Sequence, residues 1–111
     1  MTEPTMSLIV SIVRKGWGSL ALKASVEAGA RGGTVLAARG AGINEHEKIF
    51  GVAIEPEKEV LLTLVPADRA PAILDAIVQA AELDATGRGI AFVVPVDRVA
   101  GIAHFMNALG G

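Results

Sequence analysis

Cysteine is absent from this 111-residue chain, which excludes disulfides, thiolate nucleophiles and cysteine-based metal sites. Tyrosine is absent too, and the aromatic residues are one Trp and three Phe. Since 51% of residues are apolar and so few are rings, the core has to be built from Val, Ile, Leu and Ala. Charge of either sign is sparse. Ten Lys and Arg stand against twelve Asp and Glu, a net charge of -2. Scattered cations in a slightly acidic chain do not form the basic face that duplex nucleic acid requires. No apolar run reaches the roughly 20 residues of a membrane-spanning helix, so no span is expected. The opening "MTEPTMSLIVSIV" is acidic ahead of its apolar run. A secretory signal is positive there, so a cytoplasmic address is the expectation.

What is present suits one domain over 1–111, with enough chain to bury a core without staples. "SLIVSIV" at 7–13 is a β-branched apolar run and reads as a buried strand. "SLALKASVEAG" follows as a helix, with Ser19 as N-cap, Gly29 as stop, and Leu20, Ala24 and Ala28 along one face. "TVLAAR" at 34–39 and "VLLTLV" at 60–65 are the next strands. "PADRAPAILDAIVQAAEL" is the clearest helix, with Asp68 as N-cap and the pairs Ile73 and Ile77, Leu74 and Val78 at four-residue spacing. "IAFVVPV" at 90–96 is the fourth strand. The order β-α-β-β-α-β predicts an α+β, ferredoxin-like split βαβ fold: an antiparallel sheet with two helices on one face. Strands one, three and four lack the alternation of a sheet with one wet face. Their second face is therefore expected to be buried as well, most economically by another copy of the chain.

"GAGINEHEKIFGVAIEPEKE" at 40–59 is the most polar stretch, and it separates the second and third strands. A hairpin there needs only about 2–5 loop residues, and long loops in compact domains carry function. Two glycine-rich turns stand out, "RGAG" at 39–42 and "TGRG" at 86–89. Glycines let backbone N–H groups close on an anion. Arg88 between two of them suits a charge-assisted phosphate contact, the alternative being a solvated loop arginine. Glu45, His46 and Glu47 are adjacent residues that do not all reach one ion, and His104 is isolated, so no metal site is expected. The few Ser and Thr lack His and Asp partners, so no enzyme is expected. "EPEKE" at 55–59 reads as a solvated rim that sets strand register rather than a carboxylate pair.

Three segments carry a resemblance: "EAGARGGTVLAARGAG", "EVLLTLVPADRAPAILDAIVQAAEL" and "TGRGIAFVVPVDRV". In order and spacing the chain resembles a PII-like signalling protein from about residue 8 to 102, of the group with a short T-loop. The resemblance implies a homotrimer that binds adenyl nucleotide between subunits. It also implies a T-loop at about 40–58 that contacts a partner protein (a transporter or metabolic enzyme) and a B-loop at about 84–90. By position it assigns Thr34 and Leu64 to adenine, Gly40 and Gly42 to the T-loop base beside the nucleotide, and Gly87, Arg88 and Gly89 to the phosphate cradle. Asn44 takes the place of a glutamine that helps bind magnesium and 2-oxoglutarate. Ile43, Asn44 and Arg88 are candidates for a second ligand, a small anion such as bicarbonate. The departures are specific. A phosphate-binding lysine is replaced by Ile90, two C-terminal arginines by Gly101 and Ala103, and a T-loop lysine by Glu45. Loss of cations predicts ADP or AMP in preference to ATP. The same resemblance leaves two other readings, an interaction trimer with a decayed nucleotide site and a metal-binding trimer similar to CutA.

Overall fold

The computed structural model describes residues 5–40, 47–49, 52–54 and 56–101. The chain runs β1 (Met6–Arg14), α1 (Gly18–Glu27), β2 (Thr34–Arg39), β3 (Glu47–Ile49), β4 (Val52–Ile54), β5 (Glu57–Pro66), α2 (Ala70–Ala80) and β6 (Gly89–Val96). A 3-10 turn, Ala67–Arg69, leads into α2. β1, β2, β5 and β6 form one antiparallel sheet in the order β2-β5-β1-β6. With two helices connecting them, this is the split βαβ arrangement. Among the described residues, β3 and β4 pair only with each other. The loop expected across 40–58 thus contains a short ladder, supported by the strand propensity of Ile49, Val52 and Ile54.

The two sheet faces differ. Odd-numbered residues of β1 and β5 point at the helices. Ile9, Val13, Leu61 and Val65 are fully buried there against Ala21, Ile73 and Ile77. Each such aliphatic side chain contributes about 1.5–3 kcal/mol by leaving water. Ser11 and Thr63 lie on the same face, and neither hydroxyl has a hydrogen-bond partner. The even-numbered face is apolar too. Pairing aligns Leu64, Leu8 and Val94 in one row, Thr34, Leu62, Val10 and Phe92 in the next, and Leu36, Val60, Ile12 and Ile90 in the third. Leu36, Ile90, Phe92 and Val94 are exposed, Ile90 by 57%. Among the described residues no helix covers this face.

Both helix starts differ from the sequence expectation. α1 begins at Gly18 with Trp17 at the N-cap, and Ser19 lies inside it. Its buried face is Gly18, Ala21 and Ser25, while Leu20 is half exposed. The apolar Leu20–Ala24–Ala28 spacing misled because small residues, not the large one, face the sheet. α2 has Arg69 at its N-cap, and Asp68 sits in the preceding 3-10 turn. The four-residue pairing in α2 does mark its core face, with Ile73 and Ile77 buried.

Candidate functional site

The candidate residues fall into three places. The first is the turn between α2 and β6. α2 closes with Leu83 N–H donating to Val78 O (3.0 Å) and Glu82 N–H to Gln79 O (3.4 Å), a Schellman pair of bonds. The left-handed residue of that motif is usually glycine; here it is Glu82, with φ 55°. The chain then turns through Gly87 (φ 78°), Arg88 and Gly89 (φ 135°). A Cβ on Gly89 would lie 2.1 Å from the Ile12 carbonyl oxygen, so only glycine lets β6 start against β1. Arg88 is held over the turn between β1 and α1. Its guanidinium carbon is 5.2 Å from the centre of the Trp17 ring, within cation–π range. One of its terminal nitrogens is 3.9 Å from Glu82 Oε1.

The Trp17 turn is fixed in its own right. Glu59, on β5, accepts from Gly16 N–H at 3.0 Å and from Gly18 N–H at 2.8 Å. Its carboxylate satisfies the first free donor of α1, Gly18 N–H, together with Gly16 N–H in the turn before it, and complements the helix dipole. A Cβ on Gly18 would come within 2.8 Å of the same carboxylate oxygen. Glu59 is therefore not part of a solvated rim, as the reading of "EPEKE" expected. β5 begins three residues earlier than expected, at Glu57. That places Glu59 on the helix face and Lys58 on the other, where Lys58 is only 6% exposed.

The second place is the base of the long loop. Arg39 pairs with Glu57 across β2 and β5, and Gly40 N–H donates to Pro56 O at 3.2 Å. Lys15 Nζ lies 2.7 Å from Glu57 Oε2. Hydrogen bonding to Lys15, reinforced by its charge, holds the Glu57 carboxyl below its usual range, and the reciprocal bond raises Lys15. Lys15, Arg39, Glu57, Lys58 and Glu59 line an open depression of about 360 Å³. The sequence reading assigned no ligand role to these charges. The strand register that gathers them was hidden behind Pro56. Gly42, Ile43, Asn44 and the Glu45–His46 pair lie outside the described residues.

The third place is the β2 edge. Thr34, Leu62, Leu64 and Leu8, with Arg31 and Gly33, line an open depression of about 410 Å³. Thr34 and Leu64 are thus brought together, on the apolar face. Arg88 is not with them. β2 and β6 are opposite edges of the sheet, about 14 Å apart by strand spacing. Thr34 also aligns with Val10, whereas Gly89 aligns with Val13. Within one chain a ligand touching both groups would have to cross the apolar face. Gly40 lies at the same end of the sheet as Arg88, again on the opposite edge. No group of His, Asp or Glu that could hold a metal ion occurs among the described residues. No helix among them is long and apolar enough to cross a membrane.

Comparison with known proteins adds one finding on each side. No curated protein matches the chain significantly. The family model described as "Nitrogen regulatory protein P-II" matches residues 6–104, from the first residue of β1 to beyond β6. The four-stranded antiparallel sheet with two helices agrees with that match, and the chain belongs to the P-II nitrogen regulatory protein family.

Proposed function

We propose that this protein is a non-enzymatic PII-like regulator of the short-loop group. It binds ADP or AMP in clefts between the copies of a homotrimer and signals to a partner protein in carbon or nitrogen metabolism through the loop at 40–58. One observation carries the reading: the adenine-side pair, Thr34 on the edge strand β2 and Leu64 on β5 beside it, lies across the sheet from the phosphate-side turn at Arg88, with an uncovered apolar face between them. Packing such faces together removes them from water and brings the β2 edge of one copy to the β6 edge of the next. That supports a site assembled from two chains.

Ligand preference follows from charge. Arg88 is the cation of the turn. Ile90, where the family has a lysine, is an exposed apolar side chain on the sheet face. Gly101 brings no charge either. A charge-assisted hydrogen bond contributes about 1.5–3 kcal/mol, so each missing cation weakens the hold on a third phosphate. A bicarbonate-like second ligand would sit at the loop base, where Ile43 and Asn44 follow Gly40. The loop is the output because a ligand shifts it by binding its two states unequally.

Calorimetry with AMP, ADP and ATP tests the reading. AMP and ADP are expected to bind at least as tightly as ATP. ATP binding tighter by tenfold, about 1.4 kcal/mol, would contradict the charge argument. No binding of any of the three would leave a trimeric interaction module.

A further inference from the structure

Glu82 is the one non-glycine residue with positive φ among the described residues. Its position is the left-handed C′ residue of α2, where glycine carries no steric penalty and other residues are strained. The sequence uses glycine freely in such conformations, at Gly16, Gly29, Gly87, Gly89 and Gly101. A carboxylate at a strained position points to a compensating role. Its carboxylate faces Arg88, 3.9 Å away, too long for a hydrogen bond and close enough for attraction. Trp17 supports the same guanidinium by its ring face. A ring face leaves the N–H edges of the guanidinium unoccupied by the ring, so they remain available to an acceptor. Both members of the ion pair are partly solvent-accessible, Arg88 by 30% and Glu82 by 55% of the side chain. An incoming anion can therefore replace the carboxylate without unfolding the turn.

We propose that Glu82 is a specificity-determining residue. It holds Arg88 as a resident counter-ion that only a multiply charged phosphate ligand, such as a nucleoside diphosphate or pyrophosphate, displaces, while Trp17 positions the guanidinium for the exchange. The proposal rests on the reading of the Gly87–Gly89 turn as a phosphate site. A singly charged anion offers Arg88 no more charge than Glu82 already does and is excluded. A pyrophosphate offers more charge and a bidentate edge. The strain at φ 55° is the cost of keeping this filter in place of glycine.

The test is titration of the full chain with inorganic pyrophosphate, ADP and acetate, by calorimetry and by emission of Trp17, the sole tryptophan. Wild type, Glu82→Gln, Glu82→Gly and Arg88→Gln are compared. Pyrophosphate and ADP should shift Trp17 emission in wild type, and acetate should not. Both Glu82 variants should bind pyrophosphate and ADP about two- to fivefold more tightly, the range for removal of an exposed competing charge. Arg88→Gln should lose pyrophosphate binding and the emission change. Glu82→Gly should also raise the thermal midpoint. Unchanged or weaker affinity in both Glu82 variants overturns the proposal, and if wild type still binds ADP the nucleotide reading stands. A lowered midpoint in Glu82→Gly overturns the claim of retained strain. Failure of every variant to bind either phosphate probe removes both this inference and the nucleotide reading.

Discussion

At the scale of single residues, the constraints here are mostly close approaches of backbone to backbone or of carboxylate to amide. Gly89→Ala would push a methyl group into the Ile12 carbonyl at a φ that L residues avoid, so it should cost on the order of 3 kcal/mol, read from denaturant unfolding. Glu59→Ala strips the acceptor from two N–H groups at the start of α1 and should cost about 1–2 kcal/mol, with a loss of helical signal. Thr63→Val runs the other way. It replaces a buried hydroxyl that has no partner with a methyl group of similar size, and should stabilise by about 1 kcal/mol. None of these three was legible in the sequence. "EPEKE" displays charge, but nothing local shows that its last glutamate closes a helix 41 residues earlier. Arg88, by contrast, was legible as a candidate because two glycines frame it.

At the scale of elements, the apolar runs identified all four strands of the main sheet; the bounds of β2 are as expected and the ends of the others differ by at most three residues. β5 moved most, because Lys58 and Glu59 looked like loop charges until the strand put them on opposite faces. Helix starts were less legible. The side chains that looked like caps, Ser19 and Asp68, were displaced by a tertiary carboxylate and by a 3-10 turn. The loop base offers a pH test. Glu57 is lowered and Lys15 raised by the bond between them. The Glu57 contribution is therefore present above the ordinary glutamate range and lost as pH falls through the depressed value. The Lys15 contribution is present below the ordinary lysine range and lost as pH rises through the raised value. Lys15→Met should remove both limbs while changing neutral-pH stability little, since both groups are exposed. Thermal midpoints from acid to alkaline pH check this; an unchanged acid limb would mean that the pair adds nothing.

At the scale of the whole molecule, the missing polar alternation in strands one, three and four proved informative. It predicts a second apolar sheet face, and the structure has one, with Leu36, Ile90, Phe92 and Val94 exposed on the side away from the two helices. What remained illegible was where the site residues would fall relative to one another. Thr34, Leu64 and Arg88 are spread along the sequence, and only the strand order β2-β5-β1-β6 puts the first two, on β2 and the adjacent β5, across the sheet from the third, beside β6. Phe92 and Ile90 lie on the uncovered face. The proposed trimer should scatter light as three times 11.4 kDa, and replacing both residues with glutamate should reduce the particle to one chain with the fold retained. A site divided between neighbours makes a stronger demand, which mixing can test. Thr34→Trp and Arg88→Glu chains are prepared separately, each expected to bind no ADP. They are then unfolded together and refolded as mixed trimers. In a cyclic trimer every mixed particle contains one junction where an intact β2 edge meets an intact Arg88 turn. ADP binding should therefore return at about a quarter of all sites in an equal mixture. If the mixture binds no more than its two parents, the nucleotide does not bridge two chains, and the proposed site is wrong.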